Sequence, residues 1–448
     1  MIKTLDAKLT EIHANPNTNA FILADAKDAD MAFGIAATGR SPEQADGGHR
    51  SLEEYREHIR QNTRQGLVDI MLTSVSTAEH LVLTERLFDA SAVTPAIRAN
   101  DTTDIHAARG SHVPRQASRP FRTALLDHAQ CGRIGCDPAD RQRGVNLGLY
   151  SITFNNDVEL DHATLEGYKA FRVEAEQKGF RHFLEVFDPN APAHPVPPAV
   201  LGGFVNDQIV RALAGVASAG RPLFLKMVYH GPRFTEELVH YDPHLVVGIL
   251  GGSAGTTYDA FKMLAEARKY GAKAALYGRK INNAEHQLSF VQFLRWIADG
   301  RISPEEAVAA YHGVLQGLGL KPQRPLADDM RLTEQSMSYA STVTVSIPAA
   351  AVTVAGRMAS RAVPEAPATS MAGRTAPAKP ATPPASNPGT SRSAASKMQR
   401  GAAAGQDAAA RAMGDIPRTA DGTPDFAKMT PQQRLDYHRR RLDGMMGA

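Results

Sequence analysis

Through residue 320, short runs of aliphatic and β-branched residues alternate with longer stretches whose apolar positions recur every three or four residues. The short runs are 20–25, 67–74, 93–98, 146–154, 182–187, 222–228, 245–250 and 272–277. Most are apolar throughout, the pattern of strands buried on both faces of a parallel sheet, and most precede a segment long enough for a helical crossover. Two helix starts are written as capping boxes, Ser51-Leu52-Glu53-Glu54 and Ser303-Pro304-Glu305-Glu306. Helical patterns over 162–178 and 258–270 stop at Gly179 and Gly271, the residue type that most easily takes the left-handed turn closing a helix. Eight strand-then-helix units predict an α/β fold, a (β/α)8 TIM barrel over residues 1–345. A doubly wound open sheet is the rival, but no glycine-rich fingerprint follows the first strand.

Beyond the barrel the pattern dissolves. From about 363 to 423 the chain is mostly Ala, Pro, Ser, Thr and Gly, too little apolar surface to offset the entropy of ordering, so 346–429 is expected to be a disordered C-terminal tail serving as a linker. A short helix is expected within 430–448, with Thr430 as cap, Pro431 in its first turn and Gly444 past its end. So short a helix is marginal alone and suits a protein partner.

Composition narrows the classes. Of 448 residues, 43% are hydrophobic and 22% charged, ample for a large core. Net charge is +3, but the 14 basic and 7 acidic residues from Ser346 onward leave 36 basic against 40 acidic in the rest. The barrel thus has no electrostatic reason to bind nucleic acid, and the tail lacks aromatics among its arginines. No apolar run is long enough to cross a membrane. No basic and apolar leader opens the sequence, and Cys131 and Cys136 are too few for a disulfide framework, so a cytoplasmic protein is expected. The same two cysteines lack a second Cys/His pair and read as ordinary thiols, not as a metal site.

In a barrel of this kind, chemistry sits at the carboxyl ends of the strands. Candidates there are Asp25, Lys27, Asp28 and Asp30 after strand one, Arg98 to Asp101 after strand three, Glu185 and Asp188 on and after strand five, and His230 and Arg233 after strand six. Lys226 stands alone in the apolar run Phe224-Leu225-Lys226-Met227-Val228. Directed inward it would be desolvated, which favours the neutral amine needed for attack on a carbonyl; paired with Glu185 it would be a salt bridge. Strands seven and eight run into Gly251-Gly252-Ser253 and Gly278-Arg279-Lys280. Glycine backbone N–H groups and a cation at these two loops suit a phosphate.

The stretch 223–281 joins the strand-six lysine, the Gly-Gly after strand seven and Ala275-Leu276-Tyr277-Gly278-Arg279-Lys280-Ile281. In this it resembles the class I aldolases of the archaeal fructose-bisphosphate type and their deoxyribose-phosphate and tagatose-bisphosphate relatives. The layout extends over most of 15–320, and its last third is specific. The resemblance implies a metal-independent, Schiff-base-forming carbon–carbon lyase that needs no cofactor and acts on a small phosphorylated carbonyl substrate, a sugar or a keto acid. Lys226 matches the Schiff-base lysine, and Gly251, Gly252, Ser253, Gly278 and Arg279 match the phosphate-binding loops. Asp25 or Asp28 matches the assisting acid after strand one, although the family's Asp-His-Gly is absent. Phe187 stands where the fructose-bisphosphate enzymes place a tyrosine, leaving Glu185 or Tyr229 for proton transfer. The alternative is a catalytically altered barrel of the same fold that binds a phosphorylated ligand or serves assembly. A homo-oligomer is expected in either case.

Overall fold

A computed structural model describes residues 2–41, 48–106, 108–252 and 255–333, together with Pro417 and Lys428. The chain divides into two units, Met1–Val363 and Pro364–Ala448. The expected boundary near 345, nearly all of the linker and the 430–448 helix lie outside the described residues.

Eight parallel strands close the barrel of the first unit: β1 Ile22–Lys27, β2 Ile70–Thr73, β3 Thr94–Arg98, β4 Leu147–Thr153, β5 Arg181–Phe187, β6 Leu225–Met227, β7 Gly248–Leu250 and β8 Ala274–Tyr277. Each pairs with its neighbour in sequence, and β1 closes on β8 with Ile22 opposite Ala274 and Asp25 opposite Tyr277. All eight strands foreseen in the sequence are present. The first is shifted two residues along, from 20–25 to Ile22–Lys27, whereas the sixth and seventh are cut to three residues each.

The capping boxes at Ser51 and Ser303 form, and Thr256 with Asp259 makes a third at the start of the helix Thr257–Lys269. Gly179 and Gly271 take the positive φ values, 62° and 101°, that closing a helix in this way requires. Between β3 and β4 the expected crossover helix gives way to an extended excursion. It holds an antiparallel pair, Asp101–Thr102 with Pro120–Phe121, and the short helix Leu126–Cys131. Cys131 and Cys136 come together there as a disulfide, correcting the expectation of separate thiols.

Inside the barrel the amino-terminal half is apolar. Ile22, Ala24, Ala26, Ile70, Leu72, Ala96, Leu147, Leu149, Phe183, Phe224, Ala274 and Leu276 belong to one buried cluster, and the Phe183 and Phe224 rings stack at 4.6 Å. The helix Thr4–Ala14, preceding the first strand, adds Leu5, Leu9 and Ile12 from one face at helical spacing. Burying each such side chain stabilises the fold by roughly 1.5–3 kcal/mol. Lys3 fixes this helix, donating to the carbonyls of Phe88, Ser91 and Val93 at 2.7–3.0 Å.

Candidate active site

Alternation along the strands decides which polar side chains enter the barrel. Arg98, Ser151, Glu185 and Lys226 each lie two residues beyond a member of the apolar cluster, Ala96, Leu149, Phe183 and Phe224 respectively, and so share its inward face at the carboxyl end. Register sets them side by side, with Ser151 opposite Glu185 and Glu185 opposite Lys226.

The result is one buried ionic network. Lys226 Nζ lies 2.5 Å from Glu185 Oε1, with the two side chains only 8% and 2% exposed. Glu185 Oε2 accepts from Ser151 Oγ at 2.6 Å and from Arg98 Nη2 at 3.4 Å. Arg98 also donates through Nε to Asp28 Oδ2 at 2.5 Å and through Nη1 to Ser151 Oγ at 3.0 Å. Burial opposes the Arg98 charge, but Asp28 and Glu185 outweigh it and raise its pKa. Asn100 braces Ser151 in both directions, to its N–H at 2.6 Å and its carbonyl at 2.8 Å.

Of the two acids expected after strand one, Asp28 joins this network and Asp25 does not. Ala24 and Ala26 occupy the inward positions of β1, so Asp25 and Lys27 turn to the surrounding helices. Asp25 Oδ2 accepts from Asn62 Nδ2 at 2.7 Å and lies 3.7 Å from Lys27 Nζ, which donates to Gln287 Oε1 at 2.7 Å. Burial pushes the Asp25 carboxyl up and the Lys27 ammonium down, each partly opposed by the other's charge.

The two glycine loops meet at the neighbouring rim. Gly251 donates its N–H to Leu276 O at 2.8 Å, and a Cβ there would lie 2.2 Å from the Tyr277 ring. Gly252 has φ +59°, a Cβ on Gly278 would lie 2.8 Å from Ala26 O, and Ser253 is outside the described residues. The Arg279 guanidinium lies over the Phe33 ring at 5.2 Å; partial burial lowers its pKa and Glu185 opposes this. Lys280 is engaged in structure, donating to the carbonyls of Gly255 and Thr256. The N-terminus of the Thr257–Lys269 helix is met by the chain's own carboxylates, with Thr256 N–H donating to Asp259 at 2.7 Å and Thr257 N–H to Asp329 at 2.8 Å. Arg279 is therefore left as an exposed cation on this side of the mouth.

Just past β5 and β6, His230 Nε2 lies 2.8 Å from Asp188 Oδ1. Ser151 was not singled out from sequence; Arg98, Asp188 and His230 were candidates there, but their partners were not, although Arg98 shares a strand face with Ala96, a signal open to period-two reading. Among the described residues no group of three or more His, Cys, Asp or Glu is placed to hold a metal ion, and no helix is long and apolar enough to cross a membrane.

Fold and site together define a (β/α)8 barrel with a lysine–carboxylate pair inside its carboxyl-terminal mouth. Similar solved structures include an archaeal fructose 1,6-bisphosphate aldolase, 15% identical with a TM-score of 0.46, the match covering 65% of this chain and 99% of that one. The fructose-bisphosphate aldolase from Slackia heliotrinireducens is also 15% identical at a TM-score of 0.46, covering 69% and 91%. Orotidine 5′-phosphate decarboxylase from Pyrococcus horikoshii is 10% identical at 0.33, covering 62% and 99%. No protein-family model and no curated protein matches the chain.

Proposed function

We propose that the barrel is a Schiff-base-forming carbon–carbon lyase of the class I aldolase type, acting on a small phosphorylated sugar or keto acid. The observation that carries this reading is Lys226, a primary amine buried inside the barrel at the carboxyl end of β6 and in contact with a carboxylate able to take its proton. A lysine attacks a carbonyl only as the neutral amine. Glu185 Oε1 accepts the proton, the amine adds to the carbonyl carbon as one of its remaining N–H protons passes to the oxygen, and the proton held on Oε1 then leaves with that hydroxyl as water, giving the iminium. Ser151 and Arg98 hold the other carboxylate oxygen throughout, so the proton travels only between Oε1 and the reacting nitrogen and oxygen. Arg279 and the backbone of the loops at Gly251, Gly252, Ser253 and Gly278 are the proposed phosphate ligands. Asp28 serves through Arg98, keeping the guanidinium charge-balanced when Glu185 is protonated.

The test is reduction with borohydride in the presence of phosphorylated aldehydes and ketones and of pyruvate, followed by peptide mass spectrometry. The expected adduct is on Lys226 and on no other lysine, and Lys226→Arg, whose guanidinium stays protonated, should give none. An adduct mapped to Lys27, Lys262 or Lys280 would overturn the assignment. The second reading, a ligand-binding or assembly barrel without aldol chemistry, is favoured by Phe187, which offers no hydroxyl at the end of β5. Phosphate binding without any adduct would establish it.

A further inference from the structure

An aldol cleavage needs a second proton carrier, one that serves the substrate and not the lysine. Phe187 has no acidic proton, and both Glu185 oxygens are already engaged, Oε1 by Lys226 and Oε2 by Ser151 and Arg98. We infer that His230, oriented by Asp188, is that carrier; the inference rests on the Schiff-base reading of Lys226.

Three observations converge on this pair. Asp188 and His230 follow Glu185 and Lys226 by three and four residues, just past the ends of the adjacent strands β5 and β6 and so at the carboxyl-terminal rim of the barrel. At a strand rise of about 3.3 Å per residue, the Lys226 and His230 backbones are at most about 13 Å apart, a span that two side chains and a substrate of a few carbons fill. Next, the histidine is held in place on two sides. Nε2 lies 2.8 Å from the Asp188 carboxylate, and a Cβ on Gly202 of the helix Pro198–Ala214 would come within 2.8 Å of His230 Cβ. Finally, His230 Nδ1 is enclosed and has no hydrogen-bond partner, although the side chain is only 9% exposed. Buried ring nitrogens are normally satisfied, and with Nε2–H donating to Asp188, Nδ1 is left with a lone pair that no protein group among the described residues meets.

The chemistry balances with one proton in transit. With the substrate carbonyl carbon held as an iminium on Lys226, His230 Nδ1 takes the proton of the hydroxyl on the far carbon of the scissile bond, the one not attached to the iminium carbon. That O–H pair becomes the new aldehyde C=O, the carbon–carbon bond breaks, and its electrons move through the enamine to the iminium nitrogen. His230 then returns the proton to the enamine carbon, and water releases the ketone from Lys226. Asp188 stays ionised and balances the imidazolium.

The experiment uses dihydroxyacetone phosphate as probe with the full chain, wild type, His230→Gln and Asp188→Asn, after circular dichroism melts establish that each variant is folded. Two readouts are taken: borohydride trapping on Lys226, and exchange of the probe's carbon-bound hydrogen with deuterated water followed by NMR. Trapping should persist within about twofold, whereas exchange should fall on the order of 100-fold or more in His230→Gln and by a smaller factor in Asp188→Asn. If the wild type traps the probe and either exchanges no hydrogen or is matched by His230→Gln, the histidine assignment fails while the Schiff-base reading stands. If neither this probe nor the phosphorylated aldehydes, other ketones and pyruvate of the earlier test are trapped on wild-type Lys226, the reading beneath it fails as well. Should His230→Gln not fold, Asp188→Asn alone decides, and undiminished exchange in it would overturn the dyad.

Discussion

Glu185 and Lys226 face each other across two hydrogen-bonded strands, their charges 2.5 Å apart in the barrel interior. Placing a nucleophile there carries a cost in the free protein, since two ions must leave water and only good geometry compensates.

The first prediction follows from that pairing. Glu185→Gln strips Lys226 of its counter-charge and deprives Arg98 of one of its two carboxylates, so it should destabilise the protein by about 3–5 kcal/mol. Combining it with Lys226→Met should restore part of the loss, because no unpaired ammonium remains. Urea unfolding of the two singles and the double measures this, and simple additivity would show that the two groups do not depend on each other.

A second prediction concerns phosphate. Arg279→Ala should weaken a phosphorylated ligand by about 1.5–3 kcal/mol through loss of charge-assisted hydrogen bonds. Calorimetric titration with inorganic phosphate is the direct measurement. Equal affinities in parent and variant would remove Arg279 from the site.

Acid sensitivity should be traceable to His182. It is buried beside Tyr168, whose hydroxyl lies 2.9 Å from Nε2, and burial lowers its pKa to about 4. The folded protein therefore binds fewer protons than the unfolded chain between pH about 6.5 and 4. Its contribution is fully present above the upper limit and is lost as pH falls through this window, by roughly 1.4 kcal/mol for each pH unit. His182→Phe should show a shallower decline of the urea midpoint between pH 7 and 4.5; an identical slope would place the sensitivity elsewhere.

Gly251→Ala tests the rim. The added methyl would meet the Tyr277 ring, which is fully buried and hydrogen-bonded through its hydroxyl to Ala260 O at 2.8 Å, so it has little room to move. Overpacking of this kind costs about 1–3 kcal/mol, and a melting temperature equal to the parent's would contradict the close approach.

The strands were legible because parallel barrel strands are short, apolar and separated by long helical segments, a pattern visible without knowing what touches what. Lys226 was legible for the related reason that a lone charge interrupts such a run. Asp25 could not be told from Asp28 in the sequence because inward and outward positions alternate residue by residue, and only the closed register shows that Ala24 and Ala26 take the inward places. Arg98 stood among the strand-end candidates, but its place in the network was not legible because its partners come from β4, β5 and the loop after β1, up to 87 residues away in the chain. The helix Thr4–Ala14 left only three well-spaced apolar residues in a polar stretch, and nothing local says that they belong under a barrel.

That helix has a consequence for the order in which the molecule can be assembled. Leu5, Leu9 and Ile12 precede every strand, yet the cluster they join includes Phe183, Phe224, Val246 and Ala274. A ribosome releasing this chain exposes the greasy side of the helix long before the residues that will cover it exist. During synthesis the segment must wait on the solvent side or in the care of a chaperone, and a piece made before every strand it covers becomes one of the last to settle.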